Sequence, residues 1–406
     1  QMLREDWMSL NGLWNYAVTD SRTDTFVPEG KILVPFAIES SLSGVGRRVK
    51  ETETLWYERE FTVPKKWKGK NILLHFGAVD WQAEVYVNDV LLGVHKGGFD
   101  GFSFDITSAL KKSGKQTLKV KVQDATDNSF QPRGKQCIAP YRIWYTPVTG
   151  IWQTVWLESV PEAYIQKLHI TNRGYTVEIA VEPALDGTVK VADLGEFPLT
   201  GGKTLIAPEH PHLWAPDDPF LYDFSVETAH DRVESYFAIR SLETKVINGI
   251  PRLCLNGKPY FFHGLLDQGY WSDGIYTPAS PACYEQDILA MKSLGFNTLR
   301  KHIKVEPEQF YYDCDRLGMV VFQDLVNSGE YHYLRDTAIP TIGGKLTTYH
   351  EEPSERRRNF FLIHGEQTLA HLYNHPCILL YTLFNEGWGQ HDTQNLYRHF
   401  KAMDPS

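Results

Sequence analysis

The sequence predicts a multidomain chain in which two antiparallel β-sandwiches precede a parallel α/β unit, half of a (β/α)8 barrel. Three observations carry this expectation. Over residues 1–161, short apolar or alternating segments succeed one another between turn residues, with scarcely any helical periodicity. Over 162–243 a smaller unit repeats that grammar. Over 244–406 strand-like runs alternate with helical patterns, as expected for parallel strands joined by right-handed helical crossovers.

In the first unit, residues 55–63 are rich in strand formers and end at Pro64. Residues 71–76 follow, and then 83–89, which alternate apolar and polar before an Asn88-Asp89 turn. Residues 117–122 alternate cleanly, and 152–158 close the set. Such alternation turns one face of each strand to a core and the other to water. The second unit has the size of an immunoglobulin-like sandwich. Its clearest strands are 175–181 and 221–227, whereas 191–196 breaks the pattern. Between them Pro208, Pro211 and Pro216 impose an extended loop or edge, because proline cannot donate to a ladder.

The third unit opens with a short strand over 260–264. Residues 283–295 then place Ile288, Met291 and Leu294 at helical spacing, with Gly295 as C-cap. A strand over 296–300, a helix over 308–317 stopped by Gly318, a strand over 319–324 and a helix over 356–374 follow. The apolar run from Ile378 to Phe384 ends abruptly at Asn385 and Glu386, ahead of Gly387, Trp388 and Gly389. A continuous apolar run flanked by helical patterns reads as a parallel strand buried on both faces.

Composition narrows the function classes. The net charge of −9 and the lack of any basic stripe argue against nucleic-acid or anionic-membrane partners. Arg356-Arg357-Arg358 is short and preceded by Glu351, Glu352 and Glu355. The five cysteines are scattered, odd in number and without CxxC spacing, which speaks against a disulfide framework and a zinc site. There is no HExxH pattern, metal-ligand cluster or glycine-rich phosphate loop, so no metal or other cofactor is expected. With no membrane-length apolar run and no signal peptide at the start, the expected location is cytoplasmic, with periplasmic as the alternative. A homo-oligomer is left open.

Parallel barrels carry chemistry at the C-terminal ends of their strands. Those ends collect His263 and Asp267 from the first, Arg300 and His302 from the second, Asp324 from the third, and Asn385 and Glu386 from the fourth. Each has a structural alternative: Arg300 pairing a buried carboxylate, His302 as a satisfied loop histidine, Asp324 capping a helix, Trp271 and Trp388 as packing. Together they suit glycoside cleavage, which needs one carboxylic acid to protonate the leaving oxygen and a second carboxylate as nucleophile or base. Glu386 fits the acid, and an amide just before it can hold a sugar hydroxyl.

At this point the chain resembles glycoside hydrolase family 2, the β-galactosidase, β-glucuronidase and β-mannosidase group, over essentially its whole length. Asp80-Trp81-Gln82-Ala83-Glu84-Val85-Tyr86-Val87-Asn88, then His95-Lys96-Gly97-Gly98-Phe99, is similar to a signature of that family's sugar-binding jelly roll, with Asp89 in place of a glycine. Residues 147–153 resemble its Ser-Gly-Ile-Trp turn, and Leu213-Trp214-Ala215-Pro216 a passage of its immunoglobulin-like domain. Residues 295–300 and 314–318 resemble its early barrel, and Asn374-His375-Pro376-Cys377 the lead into the acid strand, with Cys377 replacing a serine.

The resemblance implies a galactose-binding-like jelly roll over 1–161, an immunoglobulin-like domain over 162–243 and the N-terminal half of a TIM barrel over 244–406. It implies a retaining exo-glycosidase for terminal β-linked sugars, β-galactosidase-like first, with β-glucuronidase or β-mannosidase as alternatives. Glu386 would be the acid/base and Asn385 the contact to the 2-hydroxyl. His302, Asp267, Asp324 and Trp388 would line the sugar site, with Arg300 in support. Asp267 and Leu325 depart from the family's pattern at their positions, so the favoured sugar stays open. No glutamate up to Ser406 matches the family's nucleophile, which is expected beyond that residue. A carbohydrate-binding protein or inactive fragment is the alternative.

Overall fold

The computed structural model describes residues 2–23, 25–327, 353–385 and 388–404, together with Leu334 and Ala338. The first domain is a sandwich of antiparallel sheets. One sheet has six strands in the order Gly30–Val34, Gly12–Asp20, Glu53–Phe61, Gln116–Gln123, Gln82–Val87 and Val90–Lys96. The other orders Trp7–Ser9, Val155–Val160, Asn71–Phe76 and Phe102–Asp105. Strict burial alternation along Gln116–Gln123 sends Leu118, Val120 and Val122 into a core shared with Trp14, Tyr57, Leu74 and Leu157. Apolar burial at roughly 25 cal/mol per Å² is what holds such a domain together.

The second domain pairs a three-stranded sheet (Lys167–Arg173, Thr176–Glu182, Lys203–Ile206) with a four-stranded one (Gly195–Leu199, Gly187–Val191, Tyr222–Thr228, Arg232–Phe237). The break in pattern at 191–196 is the turn of a hairpin, with Asp193 at φ 64° and Gly195 at φ 99°. The proline-rich passage runs as a loop that sends Trp214 inward, where its Nε1 donates to the Asp315 carbonyl at 2.8 Å. That bond joins the second domain to the third.

The third domain is a four-stranded parallel sheet in sequential order. Numbered from its own start, its elements are β1 (Gly264–Asp267), α1 (Ala282–Ser293), β2 (Thr298–Lys301), α2 (Glu308–Leu317), β3 (Val320–Asp324), α3 (Glu355–Leu372), β4 (Ile378–Thr382) and α4 (Thr393–Met403). Two expectations are corrected. The first strand begins at Gly264 rather than 260, because 242–259 forms a small antiparallel sheet whose Asn248-Gly249 and Asn256-Gly257 turns hold φ between 52° and 79°. His263 therefore stands at the start of β1, away from the strand ends that carry the site. Leu294 does not face the core but is 69 % exposed; α1 buries Tyr284 and Ile288 instead.

Register decides which side each barrel residue serves. Leu265, Leu299, Val321 and Ile378 lie in one row, and Leu266, Arg300, Phe322 and Leu380 in the next. The first row packs among Tyr284, Phe310 and Tyr311 of the helices. Alternation turns Leu266, Arg300 and Phe322 to the opposite face, and a register shift between Val321 and Phe322 passes over Leu379 to bring Leu380 beside them. The same cluster takes in Phe99 and Trp152 of the first domain and Trp214 and Ala238 of the second, so one core runs through all three.

Candidate active site

On the face opposite the helices, side chains from β2, β3 and the residues after β4 converge. Asp324, the last residue of β3, has a fully buried carboxylate. Arg300 grips it from both sides, with Nε to Oδ1 at 2.9 Å and Nη2 to Oδ2 at 2.9 Å. His302 Nδ1 lies 3.0 Å from Asp324 Oδ2. Nη2 of Arg300 also donates to Asn385 Oδ1 at 3.2 Å. A bidentate guanidinium–carboxylate pair is geometrically specific, and here it carries an amide with it. The structure thus joins Arg300, His302, Asp324 and Asn385 into one network. The structural alternative for Arg300 holds at the same time, since it does pair a buried carboxylate.

Two other expected residues fall elsewhere. Asp267 pairs in register with Lys301, in the row that faces the helices. Lys301 Nζ donates to Asp267 Oδ2 at 2.7 Å and to Glu306 Oε1 at 2.8 Å. Burial would raise the Asp267 carboxyl, but Lys301 outweighs it and holds its pKa below the usual range. Asp267 therefore belongs to a buried ionic cluster on the other side of the sheet, one residue out of phase with Arg300. Trp388 is 2 % exposed, edge-on to Trp144 with ring centres 5.2 Å apart. It is a packed indole rather than an open stacking platform. Glu386, the expected acid, lies outside the described residues.

Sequence reasoning missed the ionic cluster and its partners. Glu306 also accepts from Lys304 at 2.9 Å and from the Tyr284 hydroxyl at 3.1 Å. Burial pushes the Lys304 ammonium down to about 8, while its Nζ donates to the carbonyls of Gly269 and Tyr276 at 2.6 Å and 2.9 Å. The dense charge of residues 300–306 just past a strand was the available signal. Also missed was the long passage between the strands Gln116–Gln123 and Gly150–Ile151, which reaches the barrel. A loop of that length without regular strands is itself a signal of function.

Comparison with known families agrees with this architecture piece by piece. Residues 29–145 match the glycosyl hydrolase 2 galactose-binding domain-like family, 163–240 the glycosyl hydrolases family 2 domain, and 247–406 the family 2 TIM barrel domain. The chain belongs to glycoside hydrolase family 2.

Relatives within family 2 differ in the activity they are named for. A β-galactosidase of Thermoanaerobacter pseudethanolicus is 25% identical over 364 residues, 83% of this chain and 45% of that one. A β-glucuronidase of Bacteroides fragilis is 24% identical, over 81% of this chain and 49% of that one. The chain thus spans about half the length of these relatives. Among solved structures, a β-D-glucuronidase of Dictyoglomus thermophilum superposes with a TM-score of 0.80 at 19% identity, covering 99% of this chain and 72% of that one. A Faecalibacterium prausnitzii β-glucuronidase gives 0.75 at 24%, covering 99% and 71%. At these identities the likeness establishes a shared fold, two sandwiches and a partial TIM barrel. Among the described residues no helix is long and apolar enough to cross a membrane.

Proposed function

We propose that this chain carries the acid/base half of a retaining family 2 exo-glycosidase that cleaves terminal β-linked sugars. The observation that carries the reading is the network at the strand ends, where Arg300 holds Asp324 and Asn385 together immediately before Glu386 in the sequence. Glu386 protonates the glycosidic oxygen as the bond breaks, and then takes a proton from the water that resolves the intermediate. Asn385 donates from Nδ2 to a sugar hydroxyl, and His302 and Asp324 shape the polar wall. A two-step displacement needs a second carboxylate besides Glu386. The division into domains at 1–161, 162–243 and 244–406 is part of the same proposal.

The sugar is a galactoside or a glucuronide. The relatives named as β-galactosidase and as β-glucuronidase support the two alike by sequence. A panel of nitrophenyl glycosides offered to the full-length polypeptide separates them. Glu386→Gln should lower kcat/KM far more on substrates with poor leaving groups than on activated aryl glycosides, because kcat/KM reports bond cleavage and only the former need a protonated leaving oxygen there. Equal losses on both, or none, overturn the acid/base role. Sugar binding without turnover by any full-length form would instead mark a carbohydrate-binding protein.

A further inference from the structure

The first domain does not end at its sandwich. Residues 124–149 cross to the barrel and touch the exits of three of its strands. The Arg133 amide donates to the Asn327 carbonyl at 3.1 Å, just past β3. Asn327 Nδ2 in turn donates to the Trp388 carbonyl at 2.8 Å, past β4. Gly134, at φ 60°, lies so close to the residue after His302 that a Cβ would stand 2.6 Å from the Ile303 carbonyl oxygen.

The Arg133 side chain sits at the centre of this contact. Its guanidinium lies 4.8 Å from the ring centre of Trp144 and 5.3 Å from that of Trp388. It is 5 % exposed and has no carboxylate partner among the described residues. Its acceptor there is the Gln136 carbonyl, and its Nε is buried without one. Burial lowers its pKa, opposed by the charge of Asp127. A buried cation without a counter-ion is costly. The two indoles attract the desolvated guanidinium in place of a carboxylate.

We infer that Arg133 is a positioning residue for the acid/base site. Lying against both indoles, it fixes Trp388, which follows Asn385 and Glu386 in the sequence by three and two positions. The inference rests on the acid/base reading of Glu386, and the test separates the two.

Full-length enzyme carrying Arg133→Met, Arg133→Lys or Glu386→Gln is assayed on aryl glycosides with activated and with poor leaving groups, alongside a thermal melt. Arg133→Met should lower kcat/KM on poor leaving groups about tenfold more than on activated ones, since kcat/KM reports bond cleavage and a misplaced acid slows that cleavage only where the leaving oxygen must be protonated. Arg133→Lys should recover most of that loss, because an ammonium still rests on the indole faces. A Glu386→Gln split with equal losses for Arg133→Met on both substrate classes overturns the positioning role alone. No split in Glu386→Gln overturns both. A folded Arg133→Lys that behaves like Arg133→Met also counts against the inference, whatever the methionine variant does to stability.

Discussion

Arg300 Nη2 donates to Asn385 Oδ1 at 3.2 Å while the same guanidinium holds Asp324 through two bonds of 2.9 Å. A guanidinium has donors and no acceptor, so the amide must turn its oxygen toward Arg300. Its Nδ2 is thereby left as a directed donor with no partner among the described residues. The buried ion pair thus sets the hydrogen-bonding polarity of the residue that precedes the proposed acid.

If that directed donor meets a sugar hydroxyl that gains charge in the transition state, its loss should appear in kcat. Asn385→Ala is expected to lower kcat on the order of 100-fold with a smaller change in KM, as for other preorganised donors. Asn385→Asp should behave similarly, since it keeps the acceptor for Arg300 but loses the donor. Steady-state kinetics on the full-length enzyme check this. A rise in KM with kcat intact would reassign Asn385 to ground-state binding.

Arg300 should matter to stability as well as to chemistry. Arg300→Met removes both strong bonds to a carboxylate that has no solvent to turn to, leaving His302 alone beside it. Breaking a buried pair costs about 3–5 kcal/mol, and the partial exposure of Arg300 reduces this to roughly 2 kcal/mol. Arg300→Met with Asp324→Asn should recover part of the loss, because the buried charge has gone. Thermal midpoints of the single and double variants decide it, and additive losses would show that the pair is not coupled.

Much of the architecture was legible because period-2 alternation and glycine stops are local properties. Val120 and its neighbours alternate as a half-buried strand must, and Gly318 ends α2 in the left-handed region at φ 74°. The geometry of the candidate site was half legible. Arg300, His302, Asp324 and Asn385 meet because strand ends of a parallel sheet share one edge. Asp267 misled because facing depends on register, and a shift of one residue changes the side of the sheet. Tyr260-Phe261-Phe262 looks like a strand by propensity, yet Phe261 is 80 % exposed and the strand begins after it. The burial of Trp388 depends on Trp144 and Arg133, more than two hundred residues earlier, and no local pattern shows that.

The first domain should also carry a pH signature. The Glu39 carboxyl is pushed up to about 8 by burial, with Oε2 accepting from the Thr149 amide at 2.9 Å and Oε1 buried without a partner. Asp124 and Asp80 lie near it, and burial raises both of them too. Between the ordinary carboxylate range and about 8, the folded state holds a proton that the unfolded chain has released. Stability from this group is therefore lost as pH rises through that window. Glu39→Gln removes the titration, so its melting temperature relative to wild type should climb from pH 5 to pH 8 and level off above. A difference that stays flat across the window would mean Glu39 is ionised in the folded protein.

Gly134 and Gly114 offer a matched pair for the contact between the first domain and the barrel. Both hold positive φ, 60° and 84°, so alanine at either strains the backbone by about 1 kcal/mol. Only at Gly134 would the new Cβ meet backbone, at 2.6 Å from the Ile303 carbonyl oxygen, whereas Gly114 has nothing within 4 Å. Gly114→Ala should therefore lower the melting temperature slightly and leave turnover unchanged. Gly134→Ala must push the 124–149 passage away from the exit of β2, and kcat should fall about tenfold or more, as misplacements on the order of 1 Å can cost 100-fold. Equal activity in the two variants would show that the strand-end network holds its geometry without the first domain.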